Sequence, residues 1–227
     1  METLTRARLT VQRAALNFIF PPQCAACDDP LTSADPHLVC RGCYDALVPC
    51  LLPVQRPAEE KACAFTRHFA AFEFDDRLKR IIHFLKYDHK RTVGERLGQL
   101  LYARVPVSFL ENVDGIVPVP VHPTRWRERG YNQAEVIAGV VAGGAGIPLM
   151  TDALRRVRST RTQTKLKKTE RIDNIEAAFQ ARERLDGRTL IVFDDIYTTG
   201  STSDACTRAL LGAGAKEVRV MTVARVV

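Results

Sequence analysis

The chain has 227 residues, 46% of them hydrophobic, and a formal net charge of +7, which is long and apolar enough for one full α/β domain plus a small accessory module. Arg6, Arg8 and Arg13 interrupt every apolar run before Pro21, so neither a signal peptide nor a membrane span is expected there, and the expected location is cytoplasmic. Seven cysteines are an odd number, and four of them form two C-x-x-C pairs, which suits metal ligation in a reducing compartment better than a disulfide framework.

In chain order, residues 1–20 predict a short helix with Leu9, Leu16, Ile19 and Phe20 near one face, stopped by Pro21 and Pro22 and docked on the protein or on a membrane surface. Residues 21–56 are Cys- and Pro-rich and too poor in large apolar residues to fold unaided. Cys24-x-x-Cys27 and Cys40-x-x-Cys43 stand twelve residues apart. Each pair can form one thiolate knuckle, and the two together complete a tetrahedral structural zinc site. A redox pair is the alternative, but that role has no use for two matched pairs. Cys50, Cys63 and Cys206 read as core or solvated thiols. The chain therefore divides into a helix and four-cysteine zinc-ribbon module, residues 1–60, and a larger domain, residues 61–227.

Phe65, Phe69, Phe72 and Phe74 suggest short strands, and Leu78, Ile81, Ile82 and Leu85 recur at helical spacing, as do Leu97, Leu100, Leu101 and Val105. The run Gly115 to Val121 reads as a strand leading into a Pro-bearing loop, followed by a helix from about Asn132 to Val141 that ends at Gly143-Gly144. The stretch 188–193 is a continuous apolar strand, Ser201 to Leu211 a helix closed by Gly212 and Gly214, and Val218 to Val223 a final strand. Strands alternating with helices predict an α/β fold, a mainly parallel sheet with helices on both faces.

The strand Leu190-Ile-Val-Phe193 delivers Asp194 and Asp195 at its C-terminal end, where open α/β sheets bind ligands. A carboxylate pair can accept hydrogen bonds from vicinal ribose hydroxyls, with a divalent cation such as Mg²⁺ relieving the repulsion. Thr198, Thr199, Gly200, Ser201 and Thr202 then open a helix, supplying hydroxyls and close backbone amides for a phosphate. No G-x-x-x-x-G-K-[ST] occurs in the chain, which removes the P-loop reading; ribose 5-phosphate is the favoured reading, with a structural strand end and a Ser/Thr-rich helix cap as the plain alternative. Upstream, the loop Pro118 to Gly130 carries Arg125, Arg127 and Arg129, guanidinium forks suited to a pyrophosphate, followed by Gly130, Asn132 and Gln133 where the next helix begins. A solvated charged loop is the plain alternative, and His122 reads as a loop residue rather than a base.

Between residues 154 and 171 lie eight basic residues against the single acidic Glu170, an excess equal to the whole net charge of the chain. Arg158, Arg161, Lys165, Lys167, Lys168 and Arg171 form a segment with few apolar anchors, expected to be mobile. It either closes over a bound anion, follows a nucleic-acid backbone, or is simply solvated. Trp126 and Tyr131 flank the arginines and offer faces on which bases could stack.

The layout LIVFDDIYTTGST at 190–202 resembles the thirteen-residue signature by which type I phosphoribosyltransferases hold phosphoribosyl pyrophosphate. That resemblance implies Asp194 and Asp195 on the ribose hydroxyls and Thr198 to Thr202 on the 5-phosphate. The whole succession resembles the bacterial ComF family: four cysteines, HFLKY, VPVPVHPTRWRERGYNQ, LRRVRSTRTQTKL, RIDNIEAAF and DDIYTTGST. The ComF resemblance implies a phosphoribosyltransferase-like domain joined to a zinc finger of Cys24, Cys27, Cys40 and Cys43, with Arg129, Gly130, Asn132 and Gln133 as an upstream motif. It also implies a role with incoming single-stranded DNA in natural transformation, beside a helicase and other transformation proteins. Lys86 matches a family position whose role the sequence does not give. Many members have further cysteine pairs; here Pro53 follows Cys50 where a second thiolate would stand, which argues against a second metal site. A cytosolic transferase acting on a nucleobase or amine is the rival function, and composition does not choose between the two.

Overall fold

A computed structural model describes residues 22–32, 38–51, 63–87, 91–157 and 178–227. The predicted helix before Pro21 and the basic residues Arg158, Arg161, Lys165, Lys167, Lys168 and Arg171 lie outside them.

Four strands form one parallel sheet: β1 (His68–Glu73), β2 (Gly115–Pro118), β5 (Thr189–Tyr197) and β6 (Glu217–Arg225), in the order β1-β6-β5-β2. The central strands are β5 and β6, and their apolar runs are buried on both sides, as a strand covered by helices on both faces requires. Because side chains alternate, Ile191 and Phe193 enter one core and Leu190 and Val192 the other. The first core is closed by α2 (Asp76–Tyr87), α3 (Arg91–Tyr102) and α6 (Gln133–Ala145). The second is closed by α7 (Ser201–Gly212) and by the small antiparallel ribbon of β3 (Leu154–Arg156) and β4 (Phe179–Ala181). This is the doubly covered α/β sheet that the sequence predicts.

The helices α3 and α6 approach closely because α3 carries Gly98, where a Cβ would come within 2.9 Å of the Ile137 carbonyl oxygen of α6. A four-residue helix, α4 (Val107–Leu110), leads into β2. Both sheet edges are paired, which removes exposed ladder groups. Beside β1, Glu73 N–H donates to Val48 at 2.9 Å and Cys50 N–H donates to Ala71 at 3.1 Å. Beside β2, Ile116 N–H donates to Pro148 and Met150 N–H to Ile116.

The cysteine segment packs on the same core as α2, α3 and α6: Ala26, Leu31, Val39, Tyr44 and Leu47 are buried in it, the last two flanking the C-terminal end of α1 (Arg41–Asp45). No helix among the described residues is long and apolar enough to cross a membrane.

Candidate ribose-phosphate site and metal centre

Strand β5 runs to Tyr197, four residues beyond the predicted end of its apolar run, and carries Asp194 and Asp195 in its C-terminal part, just past the last residue of β2. Adjacent residues of a strand face opposite ways, and the two carboxylates have different surroundings. Asp195 is buried and its Oδ2 lies 2.5 Å from Lys86 Nζ of α2. That oxygen meets the ammonium as an ion pair and accepts no hydrogen bond of ordinary geometry among the described residues. Asp194 is half-buried, and its Oδ1 accepts the Asp195 N–H at 2.8 Å. Burial first, then the Asp195 charge, pushes the Asp194 carboxyl up to about 8, although the Asp195 amide and Lys86 act against it. The site therefore relieves its acidic repulsion in two ways: a lysine neutralises one carboxylate, and burial beside it favours the protonated form of the other.

The chain then turns through Thr198 and Thr199, both exposed, into α7. Gly200 is the N-cap, with φ 75°, a left-handed backbone that favours glycine. A Cβ there would also strike the Tyr197 hydroxyl. Gly200 has no side chain with which to cap α7; the Thr199 and Ser201 hydroxyls bond to each other at 2.9 Å, and Thr199 Oγ1 accepts the Ser201 N–H at a long 3.5 Å. Ser201 and Thr202 are half-buried. The opening amides of a helix that its N-cap residue leaves uncapped suit an anion.

The upstream arginine segment is a helix rather than the expected loop: α5 (Pro123–Arg129). The reason is local. Pro123 at the first turn has no N–H to leave orphaned, His122 Nδ1 accepts from Thr124 N–H at 3.3 Å, and Gly130 at φ 71° ends the helix. Arg125 and Arg127 are exposed, whereas Arg129 is buried and donates to Gln133 Oε1 at 3.1 Å. Asn132 caps α6 through its Oδ1 and holds the Val119 carbonyl through its amide. Gln133 and Asn132 thus brace the turn from within. Tyr131 does not offer a stacking face: it is buried, and its hydroxyl donates to the Leu85 carbonyl next to Lys86.

Two groups that the sequence did not assign to the site also converge on it. Arg156, at the end of β3, is half-buried; burial and then Arg125 pull its guanidinium below the usual range, while Cys206 and Asp194 act the other way. Arg156 therefore feels both Arg125 and Asp194. Next to the Thr198–Gly200 turn, His68 lies against the Tyr197 ring at 4.1 Å between centroids, and its Nε2 is 3.0 Å from Thr222 Oγ1. Burial, then Arg225, brings this histidine down to about 3, so it stays neutral. Cys206 is a core thiol, as expected, pushed up by burial.

The four Sγ atoms of Cys24, Cys27, Cys40 and Cys43 lie within 4.8 Å of one another. Cys24 and Cys43 are 3.8 Å apart, as are Cys27 and Cys40. A tetrahedral metal with Zn–S bonds of about 2.3 Å needs S–S edges of about 3.8 Å, so the donor set fits a four-thiolate ion and is too wide for disulfides. Amides of Cys40 and Ala26 donate to Cys24 Sγ at 3.3 and 3.4 Å. Burial resists ionisation of Cys24, but these hydrogen bonds outweigh it and bring the thiol down to about 7. Asp28 closes the first knuckle at φ 65°, and Arg80 of α2 grips its carboxylate at 2.6 and 2.7 Å.

The profile of the phosphoribosyl transferase domain matches residues 132–226, so the chain carries that domain from the start of α6 to the end of β6. Competence protein F of Haemophilus influenzae is 30% identical over 155 residues, which cover 65% of this chain and 68% of that protein. DNA utilization protein YhgH of Salmonella typhimurium is 29% identical over 223 residues, 96% of this chain and 88% of that protein. A solved structure of glutamine phosphoribosylpyrophosphate amidotransferase from B. subtilis aligns with a TM-score of 0.40 and 24% identity, covering 59% of this chain and 26% of that one. The chain belongs to the ComF family.

Proposed function

We propose that this protein handles single-stranded DNA during natural transformation, in the cytoplasm and beside a helicase and other transformation proteins. On this reading it binds phosphoribosyl pyrophosphate or a related ribose phosphate, with Mg²⁺, at residues 194–202. The observation that carries it is that one chain holds both the 194–202 turn at the end of β5 and a cysteine module packed on the core that β5 enters with Ile191 and Phe193, in a relative of Competence protein F and DNA utilization protein YhgH.

Asp194 and Asp195 would accept the ribose hydroxyls, the amides and hydroxyls of Thr198 to Thr202 would hold the 5-phosphate, and Arg125 and Arg127 would take the pyrophosphate. Arg129, Gly130, Asn132 and Gln133 position that helix. A bound divalent cation would supply positive charge to the carboxylates and the phosphates. The four thiolates would hold zinc as a structural ion. The basic residues Arg158, Arg161, Lys165, Lys167, Lys168 and Arg171 would follow the DNA backbone.

The test is binding of a labelled single strand against salt, with and without phosphoribosyl pyrophosphate and Mg²⁺. Each charge reversal at Arg161, Lys165 or Lys168 should flatten the logarithmic salt slope by about 0.7 or more. Absent binding, or an unchanged slope, overturns the DNA reading. A second reading, a phosphoribosyl transferase, is favoured by Arg156, whose guanidinium feels the charge of Asp194. An acceptor nitrogen would bond to the anomeric carbon as its bond to the pyrophosphate oxygen breaks, with the arginines stabilising the departing charge. Pyrophosphate release on adding a panel of bases would establish it.

A further inference from the structure

A cavity of about 420 Å³ opens between α3, α5 and α6 and is lined in part by the Gly130–Asn132 turn. Its floor is apolar, with Val136 of α6 and Leu149. Its mouth is lined by Trp126 of α5, Arg91 and Glu95 of α3, and Glu135 of α6. Trp126 is 53% exposed, a large apolar ring left in water on a helix whose backbone is fixed at both ends by His122 and Gly130. Among the described residues, no hydrogen bond or ion pair engages the carboxylates of Glu95 and Glu135. The lining thus offers a stacking face, an apolar floor and two acceptors that need N–H donors. Arg125 and Arg127 project from the same helix as exposed cations on either side of Trp126 in sequence.

A planar ring bearing an amino group, with anionic groups before and after it, satisfies all three features at once. The volume lies within the usual span of small-ligand sites, roughly 300–1,000 Å³. We propose that this cavity takes one base of a single-stranded DNA, stacked on Trp126 with its exocyclic amino group donating to Glu95 or Glu135. It follows that cytosine and adenine are preferred to thymine, which has no amino group and turns carbonyl oxygens toward the carboxylates. The inference rests on the DNA-handling reading above and adds to it a place and a preference. The same chemistry would suit a free base awaiting transfer, and the experiment separates the two sources.

Trp126 is the sole tryptophan of the chain, so its emission reports on this cavity alone. The metal-loaded full chain is titrated with labelled oligo-dC, oligo-dA and oligo-dT of equal length, following strand anisotropy and tryptophan emission, and separately with free cytosine and adenine. Binding of dC and dA should be at least about fivefold tighter than of dT, because only their amino groups donate to the carboxylates, and should quench the tryptophan, a stacked base being worth on the order of tenfold or more in affinity. Trp126→Leu, followed by anisotropy, should remove about that factor. Glu95→Gln with Glu135→Gln should narrow the dC-to-dT ratio to under about twofold while dT binding holds. Equal affinities with unchanged emission overturn the cavity while leaving the DNA reading standing. If no strand binds, the DNA reading itself falls, and quenching by free bases alone would assign the cavity to a transferase acceptor.

Discussion

Replacing Asp194 by Asn tests whether the site keeps a proton in its unliganded form. The folded-state carboxyl is raised to about 8 from an ordinary 3.8, by burial and then by Asp195. Between those two values the native state holds the proton and the unfolded chain has lost it. Stability of the wild type therefore falls as pH rises across that window, by about 1.4 kcal/mol per pH unit from this one group. From pH 5 to pH 7.5 the loss amounts to about 3 kcal/mol. The amide of Asn cannot ionise, yet its oxygen can still accept the Asp195 N–H that Asp194 accepts at 2.8 Å. Urea unfolding of both proteins at pH 5, 6.25 and 7.5, with zinc held constant, should show Asp194→Asn gaining on the wild type by about 3 kcal/mol over that range. Comparison with the wild type cancels the proton linkage of the thiolates. A pH-independent difference, or a variant that loses ground as pH rises, would refute the reasoning. The same proton shapes ligand binding. A ribose phosphate and cation that require the ionised carboxylate must expel it, so affinity should rise up to about tenfold per pH unit below pH 8. Calorimetry in buffers of different ionisation enthalpy should show release of about one proton, absent in Asp194→Asn.

Lys86→Met should destabilise the fold by about 2 kcal/mol, less than the 3–5 typical of a fully buried pair because the lysine side chain is 22% exposed. Asp195→Asn in the same chain should recover most of that loss in urea unfolding. Gly200→Ala meets both the left-handed backbone and the Tyr197 hydroxyl. It should cost more than about 1 kcal/mol and weaken phosphoribosyl pyrophosphate at least about tenfold, read by calorimetry. Elemental analysis should find close to one zinc per chain. Cys24→Ser or Cys43→Ser should lose the metal and lower the melting temperature of the whole core, since Val39, Tyr44 and Leu47 pack with α2 and α3.

The parts legible in the sequence are those set by local rules. Burial of β5 on both faces follows from its unbroken apolar run, α6 begins where Asn132 can cap it, and a C-x-x-C pair places two thiolates on one turn. The helix α5 reads as a loop in the sequence although its signals, Pro123 and Gly130, are present; the six residues between them give too little apolar periodicity to mark a helix. What stayed hidden depends on contacts far apart in the chain. Lys86 meets Asp195 across 109 positions, and only the packing of α2 on β5 brings them together. The sequence marked Trp126 and Tyr131 as equivalent aromatics, but the fold spends Tyr131 on a hydrogen bond to Leu85 and leaves Trp126 at the cavity mouth. That hydrogen bond fixes the residue before Lys86, so one tyrosine ties the α5–α6 turn to the lysine that neutralises Asp195. The base cavity and the carboxylate site therefore share a mechanical support. Tyr131→Phe should loosen both, lowering ribose-phosphate affinity and dC-to-dT discrimination together. An effect on only one of them would show that the turn and the lysine are held independently.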